Sequence, residues 1–284
     1  MVLESMAGLV SEQQFRHWKT MFEHLTGLQL SRERDVVAKV CLEQRIAATE
    51  CESAEHYLGQ IQDSPAFRRR EWDTLIEQIV IGETQFFRYQ STFSFIGKFV
   101  AERLRGEKMP AKFTAWSAGC SSGEEAFSLA MIIHRVYKSI GQPRQYLVVG
   151  TDINGRSLKH AAQGEYRNIL DRGVDDKAAS AFFEYLGGDS FRIKEFLRSK
   201  VAFFRHNILE PVTTALIPEM DLISCQNVLM YLQPWRRRSV IRHLVSFLRV
   251  DGVLVLCPGD ISGWKPDNLE RIPDQSVLAY RRIY

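Results

Sequence analysis

The feature that most constrains this chain is a strand, loop, helix and strand pattern between residues 112 and 153. The segment KFTAWSAG reads as a short apolar strand that ends in small residues, and EEAFSLAMIIHRVYKSI follows it with helical periodicity. The segment QYLVVGTDI then reads as a second buried strand that ends in an acid. This order of elements is the first unit of a doubly wound, mostly parallel sheet.

The rest of the chain predicts two additions to that sheet. Residues 11 to about 81 show helical periodicity with charged faces and no strand pattern, so we expect a small all-α domain at residues 1–81. Between about residues 165 and 204, the segments FFEYL, GGDS and FRIKE predict a small antiparallel insertion. The alternation of strand and helix then returns. The predicted fold is a Rossmann-like α/β domain over residues 82–284 with an inserted antiparallel β-subdomain.

Composition and charge exclude several classes of protein. The chain has 284 residues, and its 37 basic and 34 acidic side chains give a net charge of only +3, which does not favour a nucleic-acid binder. Its five cysteines form no CxxC or Cys/His cluster, so we expect neither a disulfide framework nor a metal site. We find no pattern typical of a signal peptide or a membrane span. The sequence predicts a reduced, cytoplasmic protein that does not insert into a membrane.

The segment AWSAGCSSGEE, residues 115–125, predicts a ligand site. Gly119 and Gly123 let the backbone approach a ligand at the start of the following helix, although tight turns also need glycine for geometry alone. Asp152 ends the next strand, where a carboxylate accepts hydrogen bonds from ribose hydroxyls or, alternatively, caps a helix. Together these features favour an adenosine-containing ligand. The carboxylate of Glu124 would repel a pyrophosphate, which favours S-adenosylmethionine over NAD or ATP.

Five motifs in fixed order carry a resemblance over about residues 11–284. They are GETQFFR (82–88), WSAGCSSGEEAFSLA (116–130), GTDI (150–153), HNIL (206–209) and QNVLMYL (226–232). Together they resemble the chemotaxis receptor methyltransferases, the CheR family. The resemblance implies methyl transfer from S-adenosylmethionine, with S-adenosylhomocysteine as product and no metal, to glutamates in the cytoplasmic coiled coil of chemoreceptors.

The resemblance also implies the roles of individual residues. Arg88 and Tyr231 match the family's active-site arginine and the tyrosine beside the transferred methyl group, although an exposed arginine also suits a surface salt bridge and a tyrosine a core position. The positions expected to bind the methyl donor are Thr84, Arg88, Gly119, Glu124, Asp152, Asn207, Ile208, Gln226 and Asn227. Asn207 by itself would read as a turn residue. The family usually has asparagine at position 82 and arginine at position 226, where this chain has glycine and glutamine.

A basic stripe on the second predicted helix is the candidate surface for docking the receptor. Arg34 and Arg45 are about three helical turns apart, and Lys39 lies near the same face. The apolar residues Val36, Val37, Val40, Cys41 and Ile46 are expected on the other side. A solvated charged face explains the stripe equally well. We expect a monomer. Two alternative functions are a module that binds S-adenosylmethionine with little or no catalysis, and an NAD-dependent oxidoreductase, for which we find no hydride-site residue.

Overall fold

The protein was analysed as a computed structural model that describes residues 9–80, 82–106, 110–141, 145–211, 217–258, 260 and 264–284. The described residues divide into two compact units. The first unit contains residues 9–80 and 231–236. The second unit contains the described residues within 82–230 and 237–284. The segment 231–236 therefore groups with the helical unit, whereas the sequence analysis assigned it to the α/β domain.

The first unit contains the all-α domain that the sequence predicts. Its helices are α1 (Glu12–Thr26), α2 (Arg32–Ala47), α3 (Ala54–Asp63) and α4 (Pro65–Ile79). Ser11 begins α1 with a capping box that it forms with Gln14, and Gly27 ends the helix in the left-handed conformation. The core contains stacked aromatic rings, with the Trp18 and Phe22 centroids 5.1 Å apart.

The burial of α2 confirms the prediction for Cys41 and Ile46 and differs from it for the three valines. Val36, Val37 and Val40 are exposed, and the residues that α2 buries are Ala38, Cys41, Leu42, Glu43 and Ile46. The sequence pattern was misleading because the helix has apolar residues on more than one side, and only packing selects the buried side.

The second unit is built on a seven-stranded sheet with the order β6-β2-β1-β7-β8-β10-β9. Neighbouring strands from β6 to β8 are parallel, and β10 is antiparallel to both β8 and β9. The strands of this sheet are β1 (Lys112–Ala118), β2 (Gln145–Asp152), β6 (Val201–Arg205), β7 (Met220–Cys225), β8 (Leu248–Leu256), β9 (Leu269–Arg271) and β10 (Leu278–Arg282). Every residue of β1 after the first is buried, as expected for a central strand covered on both faces.

Helices connect these strands, and a small β-subdomain is inserted among them. The helices include α5 (Gln90–Arg105), α6 (Glu124–Ile140), α7 (Gly155–Gln163) and α10 (Pro234–Ser246). The inserted subdomain comprises β3 (Glu165–Arg167), α8 (Asp176–Phe182), β4 (Phe183–Gly187), β5 (Ser190–Ile193) and α9 (Glu195–Arg198), and its three strands form an antiparallel sheet. The fold class is confirmed. The insertion ends at α9 and not at residue 204, because β6 pairs with β2 in the main sheet.

Candidate active site

The predicted binding residues follow the carboxyl ends of adjacent parallel strands. Gly119 follows β1, Asp152 ends β2, Asn207 follows β6, and Gln226 and Asn227 follow β7. The chain leaves β1 through α6 to β2 on one side, while β7 pairs with β1 on the other side. Such a reversal of strand order leaves a crevice at the carboxyl edge of the sheet, where ligands of doubly wound folds bind.

The loop after β1 requires its glycines. Gly119 has a φ of +85°, and a Cβ atom added there would lie 2.2 Å from Cγ2 of Val228. Gly123 has a φ of +95°, and an added Cβ atom would lie 2.8 Å from that of Ala161. A side chain at either position would be strained and crowded. At these two positions the loop therefore presents only its backbone.

Asp152 holds this loop in place. Its Oδ2 atom accepts a hydrogen bond from the backbone N–H of Ser121 at 2.8 Å, and its Oδ1 atom accepts one from Asn154 at 2.8 Å. Burial raises the pKa of the Asp152 carboxyl, while these N–H donors oppose the rise. Each carboxylate oxygen accepts more than one hydrogen bond, so these contacts leave acceptor capacity for ribose hydroxyls.

Ser121 joins the loop to the segment before α5, a connection that the sequence analysis missed. Its hydroxyl donates to the carbonyl oxygen of Gly82 at 3.0 Å. A Cβ atom added at Gly82 would lie 2.2 Å from the Ser121 Oγ atom. The Ser121 hydroxyl therefore occupies the space that a side chain at position 82 would need, which explains the glycine there.

Glu124 lies in a more enclosed position than the sequence indicated. Its side chain is fully buried, and its Oε1 and Oε2 atoms accept hydrogen bonds from Arg172 at 2.5 Å and from Ser122 at 2.7 Å. Burial raises the pKa of Glu124, and Ser122 and Arg172 oppose that effect. Arg172 also donates to the Thr84 carbonyl at 3.2 Å. Glu124 thus links the loop to Arg172 in the inserted subdomain, and its contact with a ligand stays a prediction.

Gln226 belongs to a polar network that the sequence analysis did not foresee. Its Nε2 atom donates to Glu125 at 3.3 Å and to the Ser224 hydroxyl at 3.1 Å, while Ser117 donates to Glu125 at 2.7 Å. Burial raises the pKa of Glu125, and the hydrogen bonds from Ser117, Ser224 and Gln226 oppose the rise. Gln226 therefore connects the ends of β1 and β7 through the first turn of α6.

Thr84 and Arg88 line one cavity of about 550 Å³. The cavity is formed by Gly82, Glu83, Thr84, Gln85, Arg88, Tyr89 and Arg172. Phe86 anchors this segment, because its ring is fully buried and lies edge-on to those of Tyr166 and Phe183 at 4.9 and 5.4 Å. The Arg88 side chain is exposed and donates to the Glu83 carbonyl at 2.9 Å. Arg88 thus lies two residues from an anchored ring, and its exposed guanidinium makes one hydrogen bond, to Glu83.

Asn207 and Ile208 form a turn after β6. The Asn207 side-chain oxygen accepts a hydrogen bond from the Leu209 N–H at 3.1 Å, and its carbonyl accepts one from Glu210 at 2.8 Å. The neighbouring N–H of His206 donates to the Asp152 carbonyl at 3.0 Å. This turn therefore lies beside the end of β2, and its contact with a ligand remains a prediction.

Tyr231 lies in the first unit. Its carbonyl accepts a hydrogen bond from the Gln29 N–H at 2.7 Å, and the adjacent Leu232 forms an antiparallel bridge with Leu28. The guanidinium of Arg34 lies over the Tyr231 ring. The catalytic role that the resemblance implies for Tyr231 stays a prediction.

The basic stripe on α2 needs correction. Arg45 is partly exposed like Arg34 and Lys39, but it is not a free cation, because its guanidinium forms a two-point ion pair with the fully buried Glu71 at 2.9 and 3.0 Å. Lys39 pairs with Glu12 at 2.7 Å. The structure thus gives Arg45 an internal partner, which sequence spacing along one helix could not reveal.

In the parts of the chain that the structure describes, no group of three or more His, Cys, Asp or Glu side chains is arranged to hold a metal ion. No helix in those parts is both long and apolar enough to cross a membrane.

Comparison with known proteins identifies the family. The sequence model of the family described as "CheR methyltransferase, SAM binding domain" matches residues 82–272. This chain belongs to the CheR methyltransferase family. A chemotaxis protein methyltransferase of Vibrio anguillarum is 26% identical over 96% of this chain and 98% of that relative. One of Listeria monocytogenes is 35% identical over 65% of this chain and 67% of that relative.

Among solved structures, the chain is similar to the magnesium protoporphyrin IX methyltransferase of Synechocystis PCC 6803 with bound SAM. It is 16% identical and has a TM-score of 0.37, over 78% of this chain and 92% of that one.

The crevice of this CheR-family chain fits S-adenosylmethionine. Gly119 and Gly123 clear side chains from the loop after β1, and Asp152 presents a carboxylate with spare acceptor capacity at the end of β2. Both features suit the adenosine portion of a cofactor, and the matched family model names S-adenosylmethionine as that cofactor. The chain is therefore a member of an S-adenosylmethionine-dependent methyltransferase family that acts in chemotaxis.

Proposed function

We propose that this CheR-family protein methylates glutamate side chains in the cytoplasmic coiled coil of chemoreceptors, which gives glutamyl methyl esters. The observation that carries the proposal is the exposed guanidinium of Arg88 on a segment anchored by the buried Phe86. Its side chain lines the same cavity as Thr84. A planar guanidinium binds a carboxylate through two parallel hydrogen bonds, which suits a glutamate acceptor.

The chemistry needs alignment more than proton removal. S-adenosylmethionine, when bound, supplies an electrophilic methyl group on a sulfonium. A glutamate side chain is already ionised at neutral pH, so the protein needs no strong general base. The task of Arg88 is to hold the acceptor carboxylate in one orientation, while Asp152 and the loop after β1 bind the adenosine portion.

Tyr231 and the surface of α2 complete the proposal. The Tyr231 hydroxyl is proposed to orient the reacting groups, as the resemblance implies. Arg34 and Lys39 are proposed to attract the acidic coiled coil of the receptor, because both lie at least partly exposed on α2. Arg45 is proposed to contribute less, because its guanidinium pairs with the buried carboxylate of Glu71.

The test is transfer of labelled methyl groups from S-adenosylmethionine to purified cytoplasmic fragments of chemoreceptors from the same cell. We expect label on the receptor that alkali releases as methanol, which is diagnostic of a carboxyl methyl ester. Arg88→Ala should lower the rate at least about tenfold through the loss of a charged hydrogen-bonding partner. Arg88→Lys should keep only part of the rate, because a lysine ammonium cannot form the two parallel hydrogen bonds of a guanidinium.

Arg281→Ala is the matched control, since Arg281 is an exposed arginine on β10. Tight binding of S-adenosylmethionine without transfer to any receptor of the cell would contradict the proposal and favour a binding module. Alkali-stable label would show that the acceptor is not a carboxylate.

A further inference from the structure

Tyr89 stands at a position where a helix normally needs a short polar residue. It is the N-cap of α5, and its side chain makes no capping hydrogen bond. Serine, threonine, aspartate and asparagine are preferred there because their side chains accept a hydrogen bond from the first turn, which a tyrosine ring is too long to do. The requirements of helix α5 therefore do not explain this tyrosine.

The hydroxyl of Tyr89 instead reaches the end of β7. Its oxygen lies 2.9 Å from Nδ2 and 3.1 Å from Oδ1 of Asn227. The two residues are 138 positions apart in the chain. The Cys257 thiol lies 4.0 Å from the same oxygen. The contact therefore joins the segment that carries Arg88 to the strand end that carries a predicted cofactor-binding residue.

The backbone of Asn227 has an unusual conformation. Its φ is +58°, in the left-handed region, which asparagine tolerates better than most residues. A short amide side chain in this conformation often bonds to its own backbone, and here it bonds to Tyr89. The tyrosine hydroxyl thus holds the Asn227 amide in one place, with both of its polar atoms near Tyr89.

The ring of Tyr89 has a second contact. The guanidinium carbon of Arg88 lies 5.7 Å from the ring centre, within the range of a cation–π interaction. Tyr89 therefore contacts Arg88 through its ring and Asn227 through its hydroxyl. These two neighbours are expected to serve the acceptor and the methyl donor, respectively.

We propose that Tyr89 is a positioning residue that orients Asn227 for the methyl donor through its hydroxyl and Arg88 for the acceptor through its ring. The second half of this inference rests on the proposed function, because it takes Arg88 as the group that holds the acceptor carboxylate. The first half concerns only ligand binding at the crevice.

The first experiment is a double-mutant cycle measured as the affinity of the full chain for S-adenosylhomocysteine by calorimetry, with no acceptor present. Tyr89→Phe keeps the ring and removes the hydroxyl, and Asn227→Gly removes the amide while it tolerates the left-handed backbone. We expect each single change to weaken binding about three- to tenfold, the range of one lost hydrogen bond. In the Asn227→Gly background, Tyr89→Phe should have almost no further effect, because the contact is already absent.

The control is Tyr185→Phe, which removes the hydroxyl of an exposed tyrosine in β4 and should leave the affinity unchanged. The positioning of Asn227 by Tyr89 would be overturned if the double mutant lost affinity by the product of the two single losses. An unchanged affinity of Tyr89→Phe would overturn it as well. A loss of affinity that follows a lower melting temperature in proportion would likewise assign Tyr89 to folding alone. The outcome of this cycle does not depend on which molecule accepts the methyl group.

The second experiment separates the ring from the hydroxyl in steady-state kinetics, with an unmethylated receptor fragment as the methyl acceptor. Tyr89→Phe should raise the KM for S-adenosylmethionine and leave the KM for the receptor unchanged. Tyr89→Leu should raise both, because it also removes the ring beneath Arg88. Equal receptor KM values for the two variants would overturn the coupling to Arg88, even with the binding cycle intact. Failure of every variant and of the unaltered protein to methylate receptors would contradict the proposed function instead.

Discussion

The guanidinium carbon of Arg34 lies 4.8 Å from the centre of the Tyr231 ring. The residue expected to dock the receptor thus contacts the residue expected to orient the reacting groups. A charged guanidinium over an aromatic face is favourable by about 0.5–1 kcal/mol at an exposed site. Substitutions of Arg34 therefore act on Tyr231 as well as on any receptor surface.

Tyr231→Phe tests the role of the hydroxyl, because it keeps the ring under Arg34. We expect the melting temperature and the affinity for S-adenosylhomocysteine to stay unchanged. The rate of methyl-ester formation at saturating donor and receptor should fall about ten- to a thousandfold, or ~1.4–4 kcal/mol of lost transition-state stabilisation. A rate within twofold of the unaltered protein would make Tyr231 a packing residue. Arg34→Gln is the companion variant, and it should lower the stability of the first unit slightly by removing the cation.

The pair of Arg45 and Glu71 predicts a large effect on stability. Glu71 is fully buried, and it accepts hydrogen bonds from Arg45 and from the Tyr57 hydroxyl, the latter at 3.1 Å. Arg45→Ala leaves the buried carboxylate with the Tyr57 hydroxyl and a longer, 3.4 Å contact to Arg70. The loss of the two-point ion pair should lower the free energy of unfolding by about 3 kcal/mol. Urea denaturation, with hydrogen exchange in α2 and α4 as the local measurement, checks this.

Lys39→Ala provides the comparison on the same helix. Lys39 pairs with Glu12, whose side chain is 75% exposed, so its loss should cost less than about 1 kcal/mol. If Arg45→Ala lowered the free energy of unfolding as little as Lys39→Ala, the ion pair of Arg45 would not stabilise the fold as described. Equal and large effects would point to α2 itself and not to the buried carboxylate.

The contact between Gly82 and Ser121 predicts that the effects of substituting these two residues do not add. Gly82→Ala should force the Ser121 hydroxyl to rotate, because the new Cβ atom would lie 2.2 Å from Oγ. The lost hydrogen bond to the Gly82 carbonyl should weaken binding of S-adenosylhomocysteine by about 1 kcal/mol, or roughly fivefold. Ser121→Ala alone should have a similar effect. The double variant should then be no weaker than Ser121→Ala, and a further loss in it would show that glycine is needed at position 82 for another reason.

Asp260 predicts a dependence of stability on pH. It is 5% exposed and accepts a hydrogen bond from the Cys257 N–H at 2.8 Å. Burial raises its pKa from 3.8 to about 6, against the opposing effects of that N–H and of Arg237. Because the pKa is higher in the folded chain, the folded state binds more protons between the two values, and stability falls as the pH rises through this window.

The measurement compares the unaltered protein with Asp260→Asn, which cannot titrate. Between about pH 4.5 and pH 7, the unaltered protein should lose about 2 kcal/mol of unfolding free energy relative to the variant. A constant difference across this range would show that the carboxyl titrates near its ordinary pKa.

The sequence by itself determined the elements and the edge of the sheet where the site lies. Helical periodicity predicted that the first unit is all-α, and the apolar segments around Trp116 and Val148 predicted two strands. The glycines of the loop after β1 and the acid at the end of β2 also followed from sequence. These features are local, because periodicity, turn chemistry and the order of strands act within a few residues or along one connection.

Only the tertiary structure decided which side chains become partners. Arg172 reaches Glu124 from 48 positions away, Tyr89 reaches Asn227 from 138, and Arg45 turns inward to Glu71 from 26. No pattern along the chain encodes such pairs, because they depend on the order of strands in the sheet and on which face of each helix the core buries. The chain folds these distant residues together because a buried carboxylate or amide must find a hydrogen-bonding partner, wherever in the sequence that partner lies.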